Sequence, residues 1–188
     1  LHDFHKEQGG RLVPFAGWEM PVQYSGILEE HRATRESAGL FDVSHMGEMR
    51  IFGKQAQEFL NYLITNDLSG IGDGQAIYSP ACYDQGGVVD DLIIYRHTLD
   101  HFFVCCNASN TKKVDEWFNK QSIRFECQVE NVSSEYAQLA VQGPKAVALL
   151  ETFVPNCGSK INRFHFIECD ILGQSCLLSR TAYTGEDG

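Results

Sequence analysis

Two adjacent carboxylates occur inside an otherwise apolar stretch of the sequence. Asp90 and Asp91 follow Gly86-Gly87-Val88-Val89 and precede Leu92-Ile93-Ile94-Tyr95. Charges are costly to bury among apolar neighbours, and successive side chains of a strand point to opposite faces. The alternation predicts two groups, Asp90 with Val88 and Leu92, and Asp91 with Val89, Ile93 and Tyr95. At most one of the two aspartates therefore serves a given pocket.

The aspartate pair also has a purely structural interpretation. One carboxylate would close a hairpin by accepting hydrogen bonds from backbone amides, as aspartate commonly does in turns. The other would pair with a basic side chain. The pattern alone leaves both the structural and the functional interpretation open.

A carboxylate, a hydroxyl and an imidazole occur within four positions, at Asp42, Ser44 and His45. These are the groups of a nucleophilic triad, but such triads are assembled across space and not along one short segment. We therefore interpret them as a structural polar cluster. The histidines and cysteines do not form a metal-ligand motif, so we expect no metal site.

Composition narrows the classes of partner. The 188 residues have a formal net charge of -10 with scattered Lys and Arg, which argues against nucleic acid. No apolar run approaches the roughly 20 residues of a membrane span, and the first residues do not resemble a secretion signal. The seven cysteines include no C-x-x-C pair, so we expect reduced thiols in a cytosolic-type compartment. Composition leaves truncation open, although the chain starts without Met.

The elements that would position these residues follow from periodicity. Ile27 to Ala38 is rich in helix formers and ends at Gly39. Gln55 to Thr65 carries apolar residues at i, i+3, i+4 and i+7, which predicts a helix with one core-facing stripe. Tyr78 to Tyr83 and Val88 to Arg96 alternate as strands and flank Asp84-Gln85-Gly86-Gly87, a hairpin signal.

The rest of the chain repeats this mixture of strands and helices. Further strands are expected at Phe102–Cys106, Arg124–Val129 and Tyr136–Val141, and in a hairpin within Phe164–Arg180 that turns near Gly173. Helices are expected around Val114–Phe118 and after Pro144. Phe15 to Pro21 mixes small and large residues without helical period, which indicates a packed loop. Hairpins with helices between them predict an α+β fold of mainly antiparallel sheets with flanking helices.

Short motifs along the whole chain resemble those of the aminomethyltransferase family of the glycine cleavage system, in the same order. They are Phe15-Ala16-Gly17-Trp18-Glu19-Met20-Pro21, Phe41-Asp42-Val43-Ser44-His45-Met46-Gly47, Tyr78-Ser79, Gly86-Gly87-Val88-Val89-Asp90-Asp91-Leu92, Asn107-Ala108-Ser109-Asn110, Val141-Gln142-Gly143-Pro144 and Arg180-Thr181-Ala182-Tyr183-Thr184-Gly185-Glu186-Asp187-Gly188. Each motif is weak by itself, but their order is specific. The resemblance implies that residues 1–188 are the N-terminal folate-binding region, about half of the family's chain, with an internal division near residues 50–140 and the remainder.

The resemblance also implies a set of functional residues. Asp91 matches the family's catalytic aspartate beside the folate. Positions that line the folate pocket match Met46, Tyr78, Asp91, Cys105, Asn107 and Tyr183. The chain departs from the family where Cys105 and Cys106 replace common valines and where Ala182 replaces a usual glycine. These changes affect the expected shape of the pocket near the pterin.

The reaction implied by the resemblance transfers the methylene of an aminomethyl group from the lipoyl arm of H-protein to tetrahydrofolate and releases ammonia. Tetrahydrofolate would be the co-substrate and lipoylated H-protein the partner, in the cytoplasm of a bacterium or the mitochondrial matrix of a eukaryote. A glutamate and an arginine of the family beyond residue 188 complete the folate cleft. We therefore expect the 188 residues alone to bind folate weakly and to lack transferase activity.

Two other classes of function stay open. The same fold serves as the folate-binding half of demethylating flavoenzymes and in folate-binding iron-sulfur assembly proteins. The assembly proteins carry Lys-Gly-Cys-Tyr where this chain has Arg180-Thr181-Ala182-Tyr183, and the flavoenzymes need a long N-terminal oxidase domain. The remaining alternative is a non-catalytic interaction fragment.

Overall fold

The computed structural model describes residues 1 to 188 and has an α+β architecture. The helices are α1 His2–Glu7, α2 Ile27–Glu36, α3 Ala56–Leu63, α4 Thr111–Ser122, α5 Ala146–Leu150 and α6 Cys157–Lys160. The strands are β1 Arg11–Phe15, β2 Trp18–Gln23, β3 Gly39–Asp42, β4 Gly47–Phe52, β5 Gln75–Cys82, β6 Val88–Thr98, β7 His101–Cys106, β8 Gln128–Asn131, β9 Leu139–Gln142, β10 Phe166–Ile171 and β11 Gln174–Ser179. The expected class, mainly antiparallel sheets with flanking helices, is confirmed. No helix is both long enough and apolar enough to cross a membrane.

The chain forms two compact units. The first unit contains Leu1–His45, Gln138–Arg163 and Glu168–Gly188. The second unit contains Met46–Ala137 and Phe164–Ile167. Each unit is described by itself below.

The second unit is built on a five-stranded antiparallel sheet with the strand order β5-β6-β7-β4-β8. Its core includes side chains from four of these strands and from α3 and α4, among them Met49, Ile51, Phe59, Leu60, Ala81, Leu92, Ile94, Phe102, Val104, Val114 and Phe118. The apolar stripe expected on α3 is buried as predicted, because Ala56, Phe59, Leu60 and Leu63 are all at most 2% exposed. Burying each large apolar side chain stabilises the fold by about 1.5–3 kcal/mol. The opposite face of the sheet carries both polar residues, such as Glu48 and Asp91, and apolar ones, such as Tyr95 and Cys105.

The first unit contains the strand pairs β1-β2 and β3-β9, the pair of β11 with β10 from Glu168 onward, and the helices α1, α2, α5 and α6. The expected packed loop at Phe15–Pro21 is wrong, since these residues form the end of β1, the turn and the first part of β2 in the β1-β2 hairpin. Ala16 and Gly17 have φ of 49° and 86°, as a two-residue hairpin turn requires. Phe15 and Trp18 are about half exposed, at 54% and 50%.

Several expected boundaries also differ from the structure. The strand expected at Arg124–Val129 begins only at Gln128, because residues 124–127 form the turn between α4 and β8. The strand expected at Tyr136–Val141 is β9, Leu139–Gln142. Strands β3 and β4 were not predicted from the sequence. Both are short and pair with strands far away in the chain, β3 with β9, and β4 with β7 and β8.

Candidate functional site

Strand β6 sends Asp90 and Asp91 in opposite directions. Asp90 is 3% exposed, whereas Asp91 is exposed. The expected grouping of the preceding valines is wrong, because Val89 is 1% exposed and Val88 is 61% exposed. A register shift between β5 and β6 explains why Val89 is buried in place of Val88. Ala81 pairs with Asp90 and Cys82 with Val88, so Val89 is the extra residue of a bulge, where the normal alternation of side chains is interrupted.

Asp90 is held entirely by amide groups. Its Oδ2 accepts from the backbone N–H of Asn107 at 2.8 Å, and its Oδ1 accepts from Asn107 Nδ2 at 2.9 Å and Asn110 Nδ2 at 2.6 Å. These donors compensate for the burial of the carboxylate. Asp90 thus fastens β6 to the connection between β7 and α4. This role is structural, but it differs from the expected closure of the hairpin by backbone amides.

Asp91 projects from the other face of β6 and is oriented by two donors. The hydroxyl of Tyr78 donates to its Oδ2 at 3.0 Å, and Asn107 Nδ2 donates to its Oδ1 at 2.9 Å. Tyr78 lies opposite Ile93 and Asp91 lies opposite Pro80, so Tyr78 and Asp91 are diagonal neighbours across β5 and β6. The contact with Asp91 raises the pKa of Tyr78. Tyr78 therefore stays protonated and keeps donating at neutral pH.

Strand register brings the other candidate residues to the same face and end of the sheet. Tyr78 pairs with Ile93, Ile93 with Cys105, and Cys105 with Glu48. Gly47 pairs with Cys106 at the end of this register. Met46 directly precedes Gly47, and Asn107 directly follows Cys106. This end of the second unit therefore brings together the predicted Met46, Tyr78, Asp91, Cys105 and Asn107.

Gly47 allows β4 to approach the start of α4. A Cβ at this position would lie 2.4 Å from Thr111 Oγ1 and 2.6 Å from Cys106 Sγ. Such distances exclude any side chain without movement of the surrounding structure. The absence of a side chain at Gly47 therefore lets β4 pack closely against the start of α4, which sets the position of the neighbouring Met46 and Glu48.

Glu48 is a residue of this face that the sequence analysis missed. It is 2% exposed, and its Oε2 is buried without a hydrogen-bond partner. Burial raises the pKa of Glu48 to about 7, against a smaller opposing effect of Ser133. The signal that could have found it is the alternation of Glu48 and Arg50 with the apolar Met49 and Ile51, which is typical of a strand.

Tyr183 belongs to the first unit. Its side chain is 67% exposed, and its backbone N–H donates to Gln142 Oε1 at 2.8 Å. Gln142 also accepts from the backbone and hydroxyl of Thr184. This buried glutamine fixes the backbone beside Tyr183 and leaves the ring exposed.

Asp42, Ser44 and His45 form no nucleophile and base pair. Ser44 Oγ contacts the backbone of Gln138, and Asp42 Oδ2 lies 2.7 Å from His5 Nε2. His5 Nδ1 lies 2.6 Å from the Tyr24 hydroxyl. Although burial raises the pKa of Asp42, hydrogen bonds from Ser44 and His5 hold it below its usual value. Asp42 and Ser44 thus belong to a structural polar cluster, whereas His45 packs against Phe15 and its Nδ1 is buried without a hydrogen-bond partner.

One histidine spacing was overlooked in the sequence. His97 and His101 stand four positions apart and their rings stack with centroids 4.8 Å apart. They lie on the hairpin of β6 and β7 and not on a helix, where i, i+4 spacing would place two ligands side by side. No group of three or more His, Cys, Asp or Glu side chains is arranged to hold a metal ion.

Comparison with known proteins places the chain in a family. Residues 1–188 match the family described as the GCVT N-terminal domain. The chain belongs to the GCVT N-terminal domain family. An aminomethyltransferase of Desulfitobacterium hafniense (strain DSM 10664 / DCB-2) is 50% identical over all 188 residues, and one of Alkaliphilus metalliredigens is 47% identical.

Solved structures agree with this family assignment. The crystal structure of glycine cleavage system aminomethyltransferase T from Bartonella henselae matches with a TM-score of 0.90 and 36% identity, over 99% of this chain and 50% of that one. The chain likewise covers 52% of the Desulfitobacterium protein and 51% of the Alkaliphilus protein. It therefore spans about half the length of the relatives it matches.

Proposed function

We propose that this GCVT N-terminal domain is the folate-binding region of an aminomethyltransferase of glycine cleavage. The reaction would move the methylene of aminomethyl-lipoyl H-protein to tetrahydrofolate and release ammonia. The observation that supports this most directly is the exposed carboxylate of Asp91, which Tyr78 and Asn107 orient beside a buried and fully satisfied Asp90. A carboxylate fixed in this way is ready for a ligand without prior rearrangement.

Each residue has a role that its chemistry supports. Asp91 would stabilise the positive charge that develops on the transferred carbon and would handle a proton at a folate nitrogen. Asn107 uses its amide hydrogens on the two aspartates, so its Oδ1 can accept from an N–H group at the pterin edge. Tyr78, Met46 and Cys105 would contact the ring with apolar surface.

The remaining assignments rest on the family motifs. Tyr183 stays a proposed folate ligand because of its place in the Arg180–Gly188 motif. Lipoylated H-protein is the proposed partner that brings the aminomethyl group. Because the chain spans about half of its relatives, the remaining half of such proteins would supply the rest of the folate cleft.

Calorimetric titration with tetrahydrofolate, paired with an ammonia-release assay on aminomethyl-loaded H-protein, tests the proposal. We expect the full-length protein to bind folate and release ammonia, and Asp91→Asn to lose most of the turnover. Asp3→Asn, at an exposed carboxylate of α1, is the matched control. Folate binding without ammonia release would favour a folate-binding domain like that of the flavoenzymes, and no folate binding would favour an interaction fragment.

A further inference from the structure

The hairpin of β10 and β11 places two cysteines opposite each other. Strand β10 ends at Ile171 and β11 begins at Gln174, so the connection is the two residues Leu172 and Gly173. Their φ values are 55° and 82°, as in the type I′ turn that closes two-residue hairpins. Ile171 therefore pairs with Gln174, and two residues further from the turn Cys169 pairs with Cys176.

Both cysteines lie on the same face of the hairpin. Along β10, Glu168 and Asp170 are exposed, whereas Cys169 is half-buried. Cys176 is half-buried as well, and both thiols are free. The two thiols also interact electrostatically, which adds to the effect of burial in raising the pKa of Cys169. The side chains are therefore neighbours across the hairpin and remain within reach of small reagents.

The Cα separation expected for this pair matches that of a disulfide. In a two-residue hairpin the pair beside the turn is hydrogen-bonded, and the pair two positions away is of the same type. Opposed residues of this type have Cα atoms about 5.5 Å apart, which matches the commonest separation of disulfide-linked cysteines, roughly 5.5–6 Å. The Cβ atoms of such a pair lie about 5.5 Å apart, and a disulfide needs about 3.5–4.5 Å, so the two strands must approach slightly for the bond to form.

We propose that Cys169 and Cys176 are a redox modification site, a thiol pair that closes to a cross-strand disulfide with a disulfide oxidant such as oxidised glutathione. One thiolate of the pair attacks a glutathione sulfur and releases one glutathione thiolate. The second thiolate then attacks the mixed disulfide and releases the other glutathione. Two protein thiols are oxidised, the glutathione disulfide is reduced to two thiols, and the protein's two protons pass to the glutathione or the solvent.

The disulfide between Cys169 and Cys176 would restrain the segment that follows β11 in the first unit. Strand β11 continues into residues 180–188, where Arg180 forms an ion pair with Asp187 and Tyr183 is exposed. A disulfide between β10 and β11 would restrict the movement of β11, the strand that leads into this segment. The modification is independent of the proposed reaction, which uses no protein thiol.

Cys157 is the competing partner for Cys169. It interacts electrostatically with the Cys169 thiol but is 4% exposed, and burial raises its pKa. A buried thiol is poorly accessible to an oxidant. The hairpin register therefore favours Cys176.

Peptide mapping of the full-length protein decides the connectivity. After oxidised glutathione at mildly alkaline pH, alkylation and trypsin, cleavage after Arg163 and Arg180 yields one peptide that contains both Cys169 and Cys176. We expect this peptide to be two hydrogens lighter and unalkylated, and to regain both alkyl groups if dithiothreitol precedes alkylation. Cys157→Ser should leave this result unchanged, whereas Cys176→Ser should abolish it.

Three outcomes would overturn the proposal. They are full alkylation of both thiols after oxidation, glutathione that stays attached to either thiol, and a link from the 164–180 peptide to the 146–160 peptide that carries Cys157. A closure rate in urea equal to that of the folded protein would also count against it, because the folded hairpin would then contribute nothing.

Discussion

The side-chain amide nitrogen of Asn107 donates to Asp91 Oδ1 at 2.9 Å. The same nitrogen donates to Asp90 Oδ1 at 2.9 Å, so one asparagine joins the buried and the exposed carboxylate. The backbone N–H of Asn107 adds a third bond, to Asp90 Oδ2. The orientation of the proposed catalytic group thus depends on the anchoring of its structural neighbour.

Exchanging Asn107 for aspartate is expected to damage both stability and folate binding. Asn107→Asp replaces a shared donor by a third carboxylate next to Asp90 and Asp91, and loss of hydrogen bonds to charged groups costs about 1.5–3 kcal/mol. Urea denaturation measures the stability and calorimetry the binding. Asn119→Asp is the control, since Asn119 Nδ2 meets only Asp115 on the exposed side of α4. An equal effect of both changes would contradict the bridging role.

Substitution of Asp91 is expected to lower turnover, whereas substitution of Asp90 is expected to lower stability. Asp91→Asn should lower turnover roughly 100-fold, as loss of one preorganised charge contact does, while the unfolding free energy stays near that of the wild type. Asp90→Asn should lower the unfolding free energy by about 2 kcal/mol, because an amide group then faces the donors of Asn107 and Asn110. Steady-state kinetics and urea titrations separate the two effects. If Asp90→Asn were folded and the less active variant, Asp90 would be the functional carboxylate.

Sequence alone predicted those parts of the site that depend on local signals. The β5-β6 hairpin and the stripe of α3 follow from periodicity and turn residues within a short window. The exchange of Val88 and Val89 could not be predicted, because a bulge depends on how β6 pairs with β5. Glu48 was missed for a related reason, since its burial depends on partners far away in the sequence.

Tyr78→Phe is expected to reduce turnover about tenfold without unfolding the protein. The change removes the hydroxyl that donates to Asp91 Oδ2, and a hydrogen bond to a charged group contributes roughly 1.5 kcal/mol. The ring itself is retained, and Tyr78 is 49% exposed, so packing should change little. Tyr62→Phe is a matched control, because Tyr62 is 43% exposed and donates to Asp84. Equal turnover of Tyr78→Phe and the wild type would remove Tyr78 from the site.

Cys105 and Cys106 are expected to be replaceable by valine. Cys105 is 6% exposed and Cys106 is 0% exposed, and burial raises the pKa of Cys106 to about 12. A thiol in that state behaves as a small apolar group. The double valine variant should keep turnover within about tenfold, which corresponds to roughly 1.4 kcal/mol of barrier. A larger loss in the folded variant would assign a thiol to the reaction.

Glu48→Gln is expected to stabilise the protein at alkaline pH and to have little effect at acidic pH. Because burial raises the pKa of Glu48 from 4.5 to about 7, the native state binds a proton that the unfolded chain releases between these values. The wild type should therefore lose stability as pH rises through this range, by about 3 kcal/mol in full above pH 7. Glutamine resembles the protonated acid and avoids that loss. Urea denaturation across the pH range should show the difference between variant and wild type growing from near zero below pH 4.5, whereas Glu29→Gln, at an exposed position of α2, should give a flat difference. A difference for Glu48→Gln that does not change with pH would mean that Glu48 is charged in the folded protein.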